Sequence, residues 1–366
     1  MEGEILLKIS ILIYSLASGG AERVVSILLK ELSQKYEIEL VLMNDTIFYE
    51  VPKNVKVTFL ENSNPNESGI KKLLKLPFLA YKYSKIKSDI SISFMNRPNY
   101  INVLSNLFKK SKTVISERGT PSEYYKYGLF GIVSKFLIKT LYKKADVVIA
   151  NSKGNSFDLK HNFGISDVKV IYNSIEKKDC ENKENNKFIF ITVGRIDEGK
   201  NHKLLIESFN ELDLDAELWI IGEGPLKKDL EKIANQNVKF LGKQKDVYKF
   251  LSKADCFVFS SNYEGFPNVL LEAMSCNLPI ISTDCKSGPR EILAPRSDFL
   301  NQTDSIEVCE YGILVQVGNK KYMKQAMKII YENKELRYNF KQISNKRLDE
   351  FITNNIIKKW ERVINE

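Results

Sequence analysis

The sequence predicts an α/β protein of two doubly wound, Rossmann-like domains facing across a cleft. Three observations predict it. Short apolar runs of strand length alternate with helix-compatible stretches along nearly the whole chain, the pattern of parallel βαβ units. A polar stretch without apolar periodicity, Glu176 to Lys187, interrupts that alternation near the middle and reads as an exposed linker. A chain of 366 residues is also too long for one modest core. The expected organisation is a first domain over 1–175, a second over 176–350, and a terminal helix over 351–366 that the residues alone assign to neither.

In order, Ile5 to Leu16 reads as a strand, Gly19-Gly20 as a tight turn, and Ala21 to about Ser33 as a helix. Such a turn exposes amides at a helix N-terminus and can receive a phosphate, or it marks only a tight connection. Ile38–Met43, Val55–Leu60, Ile90–Met95, Thr113–Ser116 and Val147–Ala150 are further strands, with helices at Tyr100–Phe108 and Leu129–Tyr142. Beyond the linker come strands Phe188–Val193, Glu217–Ile221, Val238–Leu241, Cys256–Ser260 and Pro279–Thr283. Helices Lys203–Glu211, Leu226–Asn235 and Val247–Lys253 alternate with them, and another opens after Pro267. Lys320 to Leu348 is helical throughout, and Phe351 to Ile364 forms the last helix.

Charge is divided unevenly. Residues 1–173 hold 25 Lys plus Arg against 16 Asp plus Glu, whereas the remainder holds 30 against 30, so the first half carries the whole excess of +9. Within it, Ile70 to Ser88 has six lysines and no acid, interleaved with Leu and aromatic residues, and Tyr124 to Lys144 repeats the mixture. That composition suits an anionic membrane surface. The alternative is ordinary helices whose lysines face water. No apolar stretch approaches bilayer length, and Glu2 and Glu4 before the first strand are unlike a signal peptide, so a cytoplasmic protein is expected. Five scattered cysteines read as reduced thiols. Asp213-Leu214-Asp215 reads as a polar connection, and no metal site is implied.

The candidate chemistry sits at the carboxyl ends of the second domain's strands, the edge where open α/β sheets bind ligands. Arg195 and Lys200 follow Phe188–Val193 at a spacing that lets both cations reach one diphosphate. The alternative is a pair of exposed loop cations. Gly222-Glu223-Gly224-Pro225 closes the next strand. After Cys256–Ser260, Glu264 stands in a strand-to-helix turn with Gly265, Phe266 and Asn268 offering amides, Pro267 at the first helical position, and Glu272 two turns into the helix. Two acceptors at that separation suit two sugar rings.

These residues resemble the retaining family 4 nucleotide-sugar glycosyltransferases of GT-B fold over nearly the whole chain, most specifically in Glu264-x7-Glu272. The resemblance implies that Gly19 and Gly20 approach the donor diphosphate, that Arg195 and Lys200 bind its oxygens, and that Glu264 with Gly265, Phe266 and Asn268 holds the donor sugar. Glu272 would hold the ribose, Glu264, Arg195 and Lys200 would carry catalysis, and the terminal helix over 351–366 would return to the first domain. Residues 13–25, with Leu42–Asp45, Lys75–Ala80, Asn96–Tyr100 and Asn151–Asn155, are similar more narrowly to the N-acetylgalactosaminyltransferases of bacterial N-linked protein glycosylation. That implies UDP-GalNAc as donor and α-1,4 transfer onto undecaprenyl-diphosphate-linked GalNAc-diacetylbacillosamine. It also implies a peripheral position at the cytoplasmic face of the inner membrane, with an anionic membrane surface as partner and neither a cofactor nor nucleic acid. A transferase using another UDP-sugar for O-antigen or capsule, or a UDP-sugar 2-epimerase, is the alternative. A catalytically silent basic module is a third, against which the ordered ligand-facing turns of the neutral second domain argue.

One position departs from the family. Many relatives carry Glu-His after the strand corresponding to Thr113–Ser116, and this chain has Glu117-Arg118. Neither His161 nor His202 fills that place, so a histidine base is not expected, and retention needs none if the departing phosphate takes the acceptor proton. Asn96, Arg97 and Arg118, with Lys71, Lys72 and Lys75, are the acceptor-side candidates.

Overall fold

The computed structural model describes residues 6–62, 67–178, 180 and 186–366. Glu2, Glu4, Ile5 and the linker positions Asp179 and 181–185 lie outside the described residues. The chain divides into two units, Met1–Ser174 with Thr353–Glu366, and Ile175–Ile352.

The first unit is a seven-stranded parallel sheet: β1 (Lys8–Ile13), β2 (Glu37–Leu42), β3 (Lys56–Phe59), β4 (Ile90–Phe94), β5 (Lys112–Glu117), β6 (Val147–Ala150) and β7 (Lys169–Val170), ordered β3-β2-β1-β4-β5-β6-β7. Its strands are near-continuous apolar runs because helices cover both faces. Ile9, Ile11 and Ile13 point into a core with Val24, Val25 and Leu28 of helix Gly20–Leu32 and with Ile356, Trp360 and Val363 of the terminal helix Thr353–Asn365. Leu12 points into the opposite core, with Leu79, Tyr100, Ile101, Ile138 and Tyr142. Trp360 meets Phe94 at 5.6 Å between ring centroids, and Lys35 holds Glu361 at 2.6 Å.

The second unit repeats the plan with β8 (Phe188–Val193), β9 (Ala216–Ile221), β10 (Val238–Gly242), β11 (Cys256–Phe259), β12 (Ile280–Thr283), β13 (Ile306–Val308) and β14 (Ile313–Val315). Their order is β10-β9-β8-β11-β12-β14-β13, parallel except for the antiparallel β13–β14 pair. In both sheets the order reverses beside the first strand, between β1 and β4 and between β8 and β11. These switch points open a crevice at the carboxyl ends.

The structure departs from the sequence expectations locally. The helix expected over Lys320–Leu348 is two, Lys320–Glu332 and Lys334–Leu348, because Asn333 leaves helical geometry (φ −96°, ψ 90°) and accepts from the Leu336 amide at 2.9 Å as an N-cap. The helix expected from Tyr100 starts at Asn96, and a further helix, Lys153–Phe163, is capped by Ser152 and closed by left-handed Gly164. Pro267 is the N-cap of helix Asn268–Ser275, not its first residue. The cysteines are not all reduced. Cys180 and Cys276, 96 residues apart in sequence, form a disulfide within the second unit with Cα atoms 4.9 Å apart, while Cys256, Cys285 and Cys309 are free thiols. Sequence separation hid the pair, since only the fold brings Cys180 to the end of helix Asn268–Ser275.

Candidate functional site

In the second unit the site grows from the loops after β8 and β11. Beyond the ends of β8 and β9 the two chains stay paired: Gly194 N donates to Ile221 O at 2.9 Å and Ile196 N to Glu223 O at 3.0 Å. That approach leaves no room for side chains. A Cβ on Gly222 would lie 1.8 Å from Gly194 O, and one on Gly224 would lie 2.1 Å from Ile196 O. The glycines of Gly222-Glu223-Gly224-Pro225 are therefore demanded by packing.

The loop from Gly194 to Asn201 is then sewn to the β11 loop. Asp197 Oδ1 accepts from Lys200 N at 3.1 Å, Ser260 Oγ donates to Lys200 O at 2.7 Å, and Asn262 donates through its side chain to Glu198 O at 2.9 Å and through its backbone to Gly199 O at 2.8 Å. Asn201, left-handed at φ 47°, caps helix His202–Asn210. The lacing delivers Lys200 Nζ to Glu264 Oε1 at 2.5 Å. Burial works against the Lys200 charge, but the Glu264 carboxylate outweighs it and holds the ammonium pKa above its ordinary value. Arg195 stands apart from that pair. Its side chain is 72% exposed, with Nε 3.6 Å from Asp197. Glu272 is buried in helix Asn268–Ser275, and Phe266 is buried against Phe351, ring centroids 5.6 Å apart.

A fourth loop escaped the sequence reading. After β12, Asp284 is buried and paired with Arg290 at 2.6 Å, and Arg290 also holds Glu307 at 2.5 Å. Ser287 (φ 65°) and Gly288 (φ 103°) then turn the chain so close to the Glu264 loop that a Cβ on Gly288 would lie 2.3 Å from Pro267 Cδ. Thr283 Oγ1 donates to Ser261 O at 2.7 Å, which completes the contact. Ser287-Gly288-Pro289 directly after a strand is a turn signal that could have revealed it.

His202 lies buried beneath the Lys200 loop. Burial, reinforced by the charge of Lys200, pushes its pKa down to about 4, and Nδ1 has no hydrogen-bond partner. The folded state resists protonating His202 while the unfolded chain takes the proton near pH 6.5. Its contribution is therefore intact above that pH and is lost as pH falls towards 4. The loss amounts to about 3 kcal/mol, because each tenfold difference in proton affinity between the folded and unfolded chain is worth ~1.4 kcal/mol. Replacing His202 with Gln is expected to flatten stability against pH between about 6.5 and 4. Urea titrations at several pH values check this, and an unchanged slope would contradict it.

The first unit places the acceptor-side candidates around its own switch point. Met95 is forced to φ 73° after β4, and Asn96 Nδ2 donates to Glu117 Oε2 at 2.8 Å. Glu117, buried at the end of β5, also accepts from Tyr142 Oη at 2.7 Å and from the amides of Arg118 and Gly119 at 3.0 and 3.3 Å. Burial pushes its carboxyl up to about 7 against those donors. Arg118 lies over the Phe94 ring at 5.7 Å and is held by the Asn173 side chain, with burial pulling its pKa down to about 10. Arg97 pairs with Glu61 at 2.9 Å and donates to Lys72 O at 3.2 Å.

The three lysines are not equivalent. Lys71 is exposed, Lys72 lies over the Tyr14 ring at 5.9 Å, and Lys75 is ion-paired to Glu61 at 3.3 Å and Glu67 at 2.7 Å. Their attraction for an anionic surface is therefore weaker than their number implies. Gly19 is the N-cap of helix Gly20–Leu32 at an ordinary φ of −90°, with the Glu22 carboxyl folded against it. Asp215 of the Asp-x-Asp stretch pairs with Lys187 at 3.5 Å. Among the described residues no three His, Cys, Asp or Glu side chains gather as metal ligands.

Two family models divide the chain between them: glycosyltransferase family 4 matches residues 18–178, and glycosyl transferases group 1 matches residues 173–347. The chain belongs to this group 1/family 4 glycosyltransferase family and is a hexosyl-transferring enzyme of GT-B fold. It is 43% identical, over 94% of its length and 95% of the relative's, to the N-acetylgalactosamine-N,N'-diacetylbacillosaminyl-diphospho-undecaprenol 4-alpha-N-acetylgalactosaminyltransferase of Campylobacter jejuni. A second C. jejuni enzyme is 25% identical, over 99% of both chains: the GalNAc-alpha-(1->4)-GalNAc-alpha-(1->3)-diNAcBac-PP-undecaprenol alpha-1,4-N-acetyl-D-galactosaminyltransferase. Among solved structures, Anabaena HepE in complex with UDP and glucose shares the fold at TM-score 0.77 and 18% identity, covering 98% of this chain and 99% of that one.

Proposed function

We propose that the enzyme transfers N-acetylgalactosamine from UDP-GalNAc, with retention, in α-1,4 linkage onto an undecaprenyl-diphosphate-linked GalNAc-diacetylbacillosamine acceptor. The observation that carries the reading is the 43% identity, across 94% of the chain, to the C. jejuni transferase whose name gives that lipid-linked acceptor and a 4-alpha-N-acetylgalactosaminyl transfer. The Lys200–Glu264 pair at the β8/β11 switch point supports it chemically.

In this reading Lys200, kept charged by Glu264, meets the donor diphosphate, and exposed Arg195 closes on its oxygens from solvent. Glu264 and the amides of Gly265, Phe266 and Asn268 take the sugar hydroxyls, and Glu272 takes the ribose. The acceptor oxygen bonds to the sugar's anomeric carbon as the bond to the UDP phosphate breaks, and the acceptor proton passes to the departing phosphate oxygen. Positive charge from Arg195 and Lys200 stands where a metal would otherwise serve, so none is required. Asn96, Arg97 and Arg118 serve the acceptor side. A lipid-borne acceptor places the enzyme peripherally at the cytoplasmic face of the inner membrane. Among the described residues no helix is long and apolar enough to cross a bilayer.

The test is UDP release from UDP-GalNAc with and without the lipid-linked disaccharide, followed by mass and linkage analysis. Acceptor-dependent release with one added N-acetylhexosamine, α-1,4-linked, is expected. Faster transfer from another UDP-sugar would reassign the donor, and donor isomerisation without transfer would make the protein an epimerase.

A further inference from the structure

Helix Gly128–Leu141 is built inside out. The residues it turns towards the protein are Gly131, Ser134, Ile138 and Leu141, and Gly131 packs so closely that a Cβ there would lie 2.9 Å from Tyr125 O. The large apolar side chains point the other way. Leu129, Ile132 and Phe136 are 67%, 68% and 64% exposed, and at about 100° per residue they fall within roughly 60° of the helix circumference. A helix on the surface of a protein surrounded by water carries its polar residues on that side.

The row is not isolated. Helices Gly69–Leu74, Leu76–Ser84 and Asn96–Ser105 cover the same sheet face as Gly128–Leu141, since Leu76, Leu79, Tyr83, Tyr100, Ile101 and Ile138 share one core. On the first two of them Leu74, Phe78 and Tyr81 form a second exposed row at i, i+4 and i+7. The segments touch where Phe130 closes over Gly69, whose Cβ would meet the ring at 2.6 Å. Basic residues border both rows: Lys135 and Lys139 flank the first, and Lys71 and Lys85 flank the second. Paired apolar rows edged by lysines, on the half of the chain that carries the net positive charge, complement one occupant, a bilayer with anionic headgroups.

We propose that the outward face of helix Gly128–Leu141 inserts into one leaflet, with Leu129, Ile132 and Phe136 among the acyl chains, while the neighbouring row of Leu74, Phe78 and Tyr81 lies at the same interface. Attachment is then chiefly hydrophobic, and the lysines orient and steer. The inference uses the lipid-borne acceptor proposed above only for its purpose and is independent of donor and linkage.

The experiment uses the full chain with vesicles of phosphatidylglycerol and phosphatidylethanolamine. The wild type is expected to float with the vesicles and to lose no more than about tenfold in partition at roughly 0.5 M salt, where exposed charges are screened within a few ångströms. The triple variant Leu129→Glu, Ile132→Glu, Phe136→Glu is expected to lose about 100-fold or more in partition. A second variant, Ile132→Trp, should show fluorescence additional to that of the native tryptophans and quenched by lipids brominated on the acyl chain. Complete release by salt, absent quenching, or wild-type partition of the triple variant would each overturn the insertion. So would a wild-type dimer in solution that the triple variant turns into monomer, since a second copy would then own the face. A water-soluble acceptor analogue separates this inference from the proposed reaction. Equal transfer by the wild type and the triple variant, with lost flotation, supports both, whereas quenching by a protein that transfers no GalNAc sustains insertion alone.

Discussion

Replacing Glu264 with Gln is expected to lower kcat by about 10²–10³-fold while leaving the fold intact. The substitution preserves size but removes the charge that faces Lys200 Nζ at 2.5 Å, together with one fixed acceptor for the donor sugar. The effect on Lys200 gives the prediction a second signature. In the native protein burial opposes the Lys200 charge and the Glu264 carboxylate reverses the balance. Without that carboxylate burial is opposed only by weaker attractions, that of Asp197 among them, so the ammonium pKa falls and the alkaline limb of the activity profile moves to lower pH. Steady-state kinetics across pH, with thermal melts as a control for folding, provide the check. Turnover within about threefold of wild type would remove Glu264 from the proposed machinery.

The second large effect is one of stability, for Arg290→Met. Arg290 is buried and donates from Nε and Nη2 to Asp284 Oδ2 at 3.0 and 2.6 Å, from Nη1 to Ser297 Oγ at 3.1 Å, and to Glu307 from both terminal nitrogens. Asp284 is buried too, and burial already raises its carboxyl pKa even with Arg290 beside it. Removing one partner of a buried pair leaves an uncompensated charge, at a cost of about 3–5 kcal/mol. For a domain of this size that is a fall in melting temperature of roughly 6–20 °C. The sign with pH follows. Above its raised pKa the lone carboxylate is charged and destabilising, so the variant recovers part of its stability as pH falls and Asp284 takes a proton. Adding Asp284→Asn is expected to restore part of the loss at neutral pH. Donor binding should weaken as well, because Asp284 leads directly into the Ser287-Gly288 turn that packs on Pro267. A variant that melts with the wild type would contradict the pairing as a structural tie.

Much of this architecture was legible because strand and helix periodicity is local. The runs Phe188–Val193 and Cys256–Ser260 identify β8 and β11 to within a residue, since buried parallel strands are apolar on both faces. The break at Asn333 was illegible for the complementary reason. Apolar periodicity continues across it, and only the cap geometry shows that the chain turns. Short β13 and β14 lack the length to stand out, and β7 spans two residues. The exposed row Leu129, Ile132 and Phe136 carries the apolar signature of a core, so composition drew attention to that segment without saying which side faces outwards.

Two alternating α/β series are readable from the chain alone, as are the residue types at the strand ends: two cations after β8 and two carboxylates after β11. Each is written in neighbouring residues, where hydrophobic period and turn chemistry act. The folded sheet is what sets β11 against β8, although β9 and β10 come between them in the chain. That adjacency joins Lys200 to Glu264 across 64 positions, as the fold joins Cys180 to Cys276 across 96, because such partners are chosen by strand order and packing.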